Sequence, residues 1–223
     1  MVIKRLFFIS QVINFAFFAL NPENDSAVWR RIKVSGSLHN KVLEKILSLS
    51  QSNDPEISIS AATALVKLGK ETEGYQILKD FSSSSEPEIL LAVARAYLDL
   101  EKIDPLNKIR GIQTLDRIEL EKITEAELGL EIAREYFKYG FFIESERVLL
   151  YLEKHFSGIQ DKVSQLRKDI DRRRTIFSLI TQIKEKTLAP SLRLNALRQL
   201  LMIEVKLEEL IMVKEVFGKL AEE

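Results

Sequence analysis

Cysteine is absent from the 223 residues. That absence alone removes disulfides, cysteine-ligated zinc, iron–sulfur clusters and thiol nucleophiles. Histidine is almost as scarce: His39 and His155 stand far apart, with no carboxylates at metal-ligand spacing, so no metal site is expected. His39 reads as a solvated residue in the first turn of a helix, and His155 as a surface residue at a helix C-terminus. The eight glycines are scattered and form neither a GxGxxG turn nor a P-loop, so no nucleotide cofactor is expected. There is no GxSxG elbow and no Ser–His–Asp order, which leaves no basis for an enzyme. Neither charge sign is in excess, with 33 basic and 33 acidic residues, and this argues against nucleic acid as a partner. Carboxylate pairs such as Glu144/Glu146 and Glu208/Glu209 fall in Lys- and Glu-rich stretches and read as solvated faces.

What is present is ample apolar material: 46% of residues are hydrophobic and 30% are charged, so the chain is not disordered throughout. Its length suits one domain or a short solenoid with a real core. The first 20 residues stand apart. Lys4 and Arg5 precede an uncharged run, Leu6 to Leu20, that holds five phenylalanines (Phe7, Phe8, Phe15, Phe17, Phe18). A basic start and an apolar stretch of this length match a secretory signal peptide, residues 1–20. The run is short for a spanning helix, which needs about 20 apolar residues. It carries no A-x-A cleavage pattern, so retention as an N-terminal anchor through residues 6–20 stays open, as does a buried first helix in a cytoplasmic protein. The expected location is periplasmic or secreted. Membrane contact is expected only through this segment, if uncleaved. Residues 21–36 read as a linker rich in turn formers, with Trp29 as a packed anchor or else a partner contact.

From residue 37 to 223 the apolar spacing is helical nearly everywhere, and no alternating run with hairpin turns appears. Pro55, Pro87, Pro105 and Pro190 sit where helices should begin, since proline suits a first helical turn. Asp54-Pro55-Glu56-Ile57 recurs as Glu86-Pro87-Glu88-Ile89, each followed by small and apolar residues. A third copy starts near Ala126, where Ala133-Arg134-Glu135-Tyr136 matches Ala94-Arg95-Ala96-Tyr97. A fainter copy begins at Pro190 with Leu192, Leu194, Ala196, Leu197 and Leu200. Ala62, Ala94 and Ala133 are placed to admit a neighbouring helix closely. Second helices are expected over 71–81, over 107–119 with Ile109, Ile112, Leu115 and Ile118 inward, and over 143–156. Such faces cannot be buried by one helix pair, but stacked pairs bury one another. Repeat units are therefore placed at about 54–85, 86–124 and 125–158.

The first two units resemble HEAT-like repeats on Asp54-Pro55-Glu56-Ile57, Ala61-Ala62, Ala64-Leu65, Leu68-Gly69 and Glu86-Pro87-Glu88-Ile89 with Ala92, Ala94 and Ala96. The third resembles a tetratricopeptide repeat on Ala133, Tyr136, Gly140, Ser145 and Leu149, although Leu152 stands where that family has alanine. The resemblance covers about residues 54–157. It implies an all-α fold: a short right-handed α-solenoid of stacked antiparallel helix pairs, closed by C-terminal helices within 160–223. A long helix over 160–186 would use Val163, Leu166, Ile170, Phe177 and Ile180 as its seam. Leu192–Met202 and Leu207–Leu220 would form a closing pair that caps the stack.

A non-catalytic module that holds a protein or peptide partner follows from repeats without reactive chemistry. A cytoplasmic adaptor is one alternative. A phycobilin lyase-type protein, which some HEAT-like proteins resemble, is another. Arg95, Arg134 and Arg198 occupy one place in three aligned units, with Thr63 in the first, and could form a stripe that clasps an acidic peptide. The other reading of these arginines is a solvated position or ladder pairs between repeats. The run Asp169 to Arg174 is the densest basic feature and would meet phosphate or an anionic surface, or pair with its own aspartates.

Overall fold

The computed structural model describes residues 36–185 and 187–203, with side chains from Asn40 onward. The signal segment 1–20, nearly all of the linker with Trp29, and the helix expected over 207–220 lie outside the described residues. Among the described residues the structure is all-α, with no strand. The helices are α1 (Gly36–Ser50), α2 (Pro55–Lys67), α3 (Glu71–Phe81), α4 (Pro87–Asp99), α5 (Leu106–Asp116), α6 (Ala126–Lys138), α7 (Phe142–His155), α8 (Gln160–Lys184) and α9 (Pro190–Met202). They fall into two compact units that divide after Leu128, inside α6.

The prolines mark helix starts as expected: Pro55, Pro87 and Pro190 lie in the first helical positions, and Pro105 immediately precedes α5. The repeated Asp/Glu-Pro-Glu-Ile start is not chemically equivalent in its two copies. The Asp54 carboxylate accepts hydrogen bonds from the Glu56 and Ile57 N–H groups at 3.0 and 3.4 Å, whereas Glu86 makes no such cap. The longer glutamate does not fold back onto its own first turn as a short carboxylate does. Serine supports both starts: Ser52 Oγ accepts from the Asp54 N–H and Ser84 Oγ from the Glu86 N–H, each at 3.1 Å.

In the first unit α1 packs on α2, α2 pairs with α3, α4 pairs with α5, and the two hairpins meet through α2, α3 and α4. One core lies between them, from Ile59, Ala62, Val66, Leu78, Val93, Ala96, Tyr97 and Leu100. A second joins α1 to α2 through Ile46, Ala61, Ala64 and Leu65. Close crossing is achieved by small residues on both helices. A Cβ on Gly74 of α3 would stand 2.6 Å from the Ala62 carbonyl oxygen, and one on Gly111 of α5 would stand 3.1 Å from the Ala94 oxygen. Ala62 and Ala94 are fully buried. Ile109, expected inward, is more than half exposed. The rotation of α5 is set by Asn107, Gly111 and Thr114, which take the inner positions and leave Ile109 on the opposite side.

In the second unit α6 and α7 form a hairpin with the same plan as α2–α3. Ala62, Leu65, Gly69, Gly74 and Leu78 map at one constant spacing onto Ala133, Tyr136, Gly140, Ser145 and Leu149. Both turns place glycine in the left-handed region, φ 81° at Gly69 and 85° at Gly140. Both close with the same backbone bond at 2.9 Å, Lys70 N–H to Leu65 O and Phe141 N–H to Tyr136 O. The α4–α5 hairpin departs from this plan: its connection is longer and lacks the glycine turn. The strongest internal copy is therefore the pair of hairpins α2–α3 and α6–α7, the first and third of the repeats expected from the sequence.

Helix α8 changes its buried face along its length. Val163, Leu166 and Ile170 are buried on one side, whereas Ile176, Leu179, Ile180 and Ile183 are buried on another. Phe177, expected in a single seam, is 38% exposed. The reason is that α8 meets the α6–α7 hairpin along its first part and α9 along its second. Arg193 of α9 ties the end of α8 by donating from Nε to the Ile183 carbonyl at 2.9 Å. The fourth copy expected at Pro190 does not repeat the burial pattern of the others: Ala196 and Leu200 are buried, but Leu192 and Leu194 are exposed, because α9 meets α8 along one narrow face.

Candidate partner-binding surface

The three aligned arginines are all exposed: Arg95 on α4 in the first unit, Arg134 on α6 and Arg198 on α9 in the second. Arg95 and Arg134 each follow a fully buried alanine, so their shared register is real at the level of each hairpin. Thr63, the matching residue of α2, turns its hydroxyl back to donate to the Ile59 carbonyl at 2.9 Å. Of the three, Arg198 borders a groove. That groove, about 610 Å³, is lined by Thr175 and Leu179 of α8 and by Arg198, Gln199, Leu201, Met202 and Ile203 at the end of α9.

The basic run on α8 is engaged within its own unit. Arg172 faces Asp169 at 3.6 Å and Arg174 faces Asp171 at 4.0 Å. Arg173 lies 5.1 Å over the ring of Phe137, and Arg174 lies 5.9 Å over that of Phe142. Phe142 in turn packs against Phe137 at 6.2 Å and, edge-on, against Phe177 at 5.9 Å. The result is a rack of three rings and two guanidiniums contributed by α6, α7 and α8. Arg173 Nε is buried and donates to no hydrogen-bond acceptor, so its cation is met by an aromatic face instead. Rings hold guanidiniums in fixed orientations while leaving their N–H edges for carboxylates. In the sequence the arginines and the phenylalanines read as separate features. The usable signal is that Arg173 and Phe177 continue the spacing of Val163, Leu166 and Ile170.

Two further polar clusters are self-satisfied. In the first unit the buried Asn107 donates from Nδ2 to Tyr75 Oη at 2.7 Å and to the Leu100 carbonyl at 3.2 Å, and its Oδ1 accepts from Arg110 at 2.7 Å. Arg110 also meets Asp104 at 3.2 Å and lies over the Tyr75 ring at 5.4 Å. Nearby, burial raises the Tyr97 phenol above its ordinary pKa, against the opposing pull of Arg110. Every group here is used to join α3, α4 and α5. In the second unit Arg167 of α8 holds Glu146 at 2.7 Å and clamps both Glu153 oxygens at 2.9 and 3.0 Å on α7. The Arg167 hydrogen bond holds the Glu153 carboxyl below its usual range, and the same bond raises the guanidinium pKa.

His155 stacks on Tyr151 at 4.3 Å. Among the described residues no group of three His, Asp or Glu side chains converges as a metal set, and no helix is long and apolar enough to cross a membrane. Comparison with protein-family models, with curated proteins and with solved structures finds no match to this chain.

Proposed function

We propose that the protein is a non-catalytic helical-repeat scaffold that holds a protein or peptide partner. Its first 20 residues would direct it out of the cytoplasm, to the periplasm or the medium. The two matched hairpins, α2–α3 and α6–α7, support reading it as a tetratricopeptide- or HEAT-like array, and the expected hand of that array is right. The observation that carries the reading is the ring-and-guanidinium rack of Phe137, Phe142, Phe177, Arg173 and Arg174. Aromatic and arginine side chains held rigid at a surface are the residue types on which protein contacts concentrate their energy. The rack favours a segment that brings carboxylates with an apolar neighbour.

The test is in-cell cross-linking of the tagged chain, comparing wild type with Arg174→Ala and Phe177→Ala. Both residues are exposed, so helicity and melting temperature should stay near wild type. At least a tenfold drop in the captured partner is expected, because interface anchors cost about 2 kcal/mol or more when truncated. Parallel Arg134→Ala and Arg198→Ala variants test the arginine stripe. Capture unchanged by all four, or turnover of a small substrate by the purified chain, overturns the reading. Mass spectrometry of the native protein tests export: loss of about 20 N-terminal residues supports it, and an intact start in the cytosol opposes it.

A further inference from the structure

A surface helix ordinarily keeps its polar residues opposite its buried face. Helix α7 departs from that pattern. Its inner side is Ser145, Val148, Leu149 and Leu152, all buried. Centred on the opposite side is one row, Ile143, Arg147, Leu150 and Lys154, at alternating four- and three-residue steps. Ile143 is 78% exposed and Leu150 57%, and both cations between and after them are exposed. Two large aliphatic side chains are thus held in water on an outer face, a cost that a neighbour would remove.

The charges of α7 are sorted by direction. Glu146 and Glu153 turn toward α8, where Arg167 takes both. Phe142, the α7 member of the rack, lies on that same side and meets Phe177 of α8. Glu144 lies about 100° around the helix from Ile143. Only cations therefore alternate with the apolar residues of the outer row. This arrangement selects among occupants. A second copy of α7 laid along the row would place four cations on one seam, so self-pairing is opposed. An anionic bilayer calls for a broad apolar face, whereas this row is one residue wide and has carboxylates on both flanks. Alternating four- and three-residue steps are the spacing by which one helix lies along another. We propose that the outer row of α7 docks one helix of another protein, whose apolar residues meet Ile143 and Leu150 and whose carboxylates meet Arg147 and Lys154. The row faces away from α8, so the proposal does not rest on the rack or on the partner assigned to it.

A photo-cross-linking residue in place of Leu150, in the full chain and in the cells that make it, reads out the occupant once the joined peptide is sequenced. The expected adduct is one segment of a different protein, with apolar residues and carboxylates recurring at three- and four-residue steps. Arg147→Glu combined with Lys154→Glu should lower its yield about tenfold or more, whereas Arg147→Lys combined with Lys154→Arg should keep it. Both positions are exposed, so circular dichroism should not change. The same cross-linker in place of Ser164, an exposed residue of α8, should give no such adduct. The proposal is overturned by no adduct at position 150, or by the same adduct at 164. It is equally overturned by an adduct with lipid, with a second copy, with another part of this chain or with a segment lacking carboxylates. A yield indifferent to charge reversal overturns it as well.

Discussion

Hairpins α2–α3 and α6–α7 share turn geometry and the spacing of their inner residues, yet different chemistry holds them. In the first, Gly74 lets α3 lie almost on the α2 backbone, and the packing around Leu65 is aliphatic. In the second, Ser145 replaces that glycine and donates its hydroxyl to the Ala133 carbonyl at 2.7 Å, while Tyr136 fills the place of Leu65. Gly129 accommodates the Leu152 methyls. One backbone solution thus tolerates two kinds of contact, provided the crossing residue is small. What distinguishes the units lies outside that shared plan: the Asn107 network in the first, and the Arg167 clamp with the aromatic rack in the second.

The comparison can be tested from its strongest point downward. Leu78→Ala and Leu149→Ala remove fully buried side chains from matched positions, and each should lower unfolding stability by about 3 kcal/mol. Urea titrations followed by circular dichroism would show this; a loss in one hairpin but not the other breaks the equivalence. Gly74→Ala should cost about 2 kcal/mol, because its Cβ would meet the Ala62 oxygen and the α2 backbone cannot withdraw cheaply. Ser145→Ala at the matching place should cost only about 1 kcal/mol, the worth of one buried hydrogen bond, since the space already exists.

Gly69→Ala and Gly140→Ala meet nothing within 4 Å, so only the left-handed backbone resists them. Each should lose about 1 kcal/mol, equally in both hairpins. Unequal melting shifts would show that one turn is stabilised by more than its own geometry.

The smallest effect is the pH dependence of the clamp. Glu153 titrates below its ordinary value in the folded chain, so its contribution is fully present above a pH of about 4.3 and fades as pH falls through the lowered value. Glu153→Gln should flatten that acid limb by less than about 1 kcal/mol, as befits a partly exposed ion pair. Hydrogen exchange compared below and above a pH of about 4.3 should place the change in α7 and α8. A wild-type acid limb retained in the variant would show that Arg167 is not its source.

Legibility followed the range of the interaction involved. The helix starts at Pro55, Pro87 and Pro190 and the closeness of Ala62, Ala94 and Ala133 to a neighbour were readable, because both are properties of a few adjacent residues. The kinship of the first and third hairpins was also written in the chain, as two small residues flanking a glycine turn. It was obscured by the louder Asp/Glu-Pro-Glu-Ile pair, whose two members prove to be capped differently. Ile109 and Phe177 were misplaced for one reason: amphipathic spacing gives a helix an apolar side, but its rotation is fixed by its neighbours. On α5 the polar Asn107 takes an inner position, and on α8 two partners claim different faces. Of the site residues, Arg95, Arg134 and Arg198 were found exposed on their helices. The stacking of Arg173 and Arg174 on phenylalanines of other helices was not readable, because no local pattern announces a contact between segments far apart in the chain.

Local sequence determined that the described residues are helical and where their helices begin, and that the chain has no thiol. These follow from backbone preference and composition, which act residue by residue. Tertiary structure alone decided that α8 turns one face to α7 and another to α9, that Asn107 displaces Ile109 from the inside, and that two arginines and three rings from three helices become one surface. Those outcomes depend on which helices come together, and burial and charge are assigned only when they do.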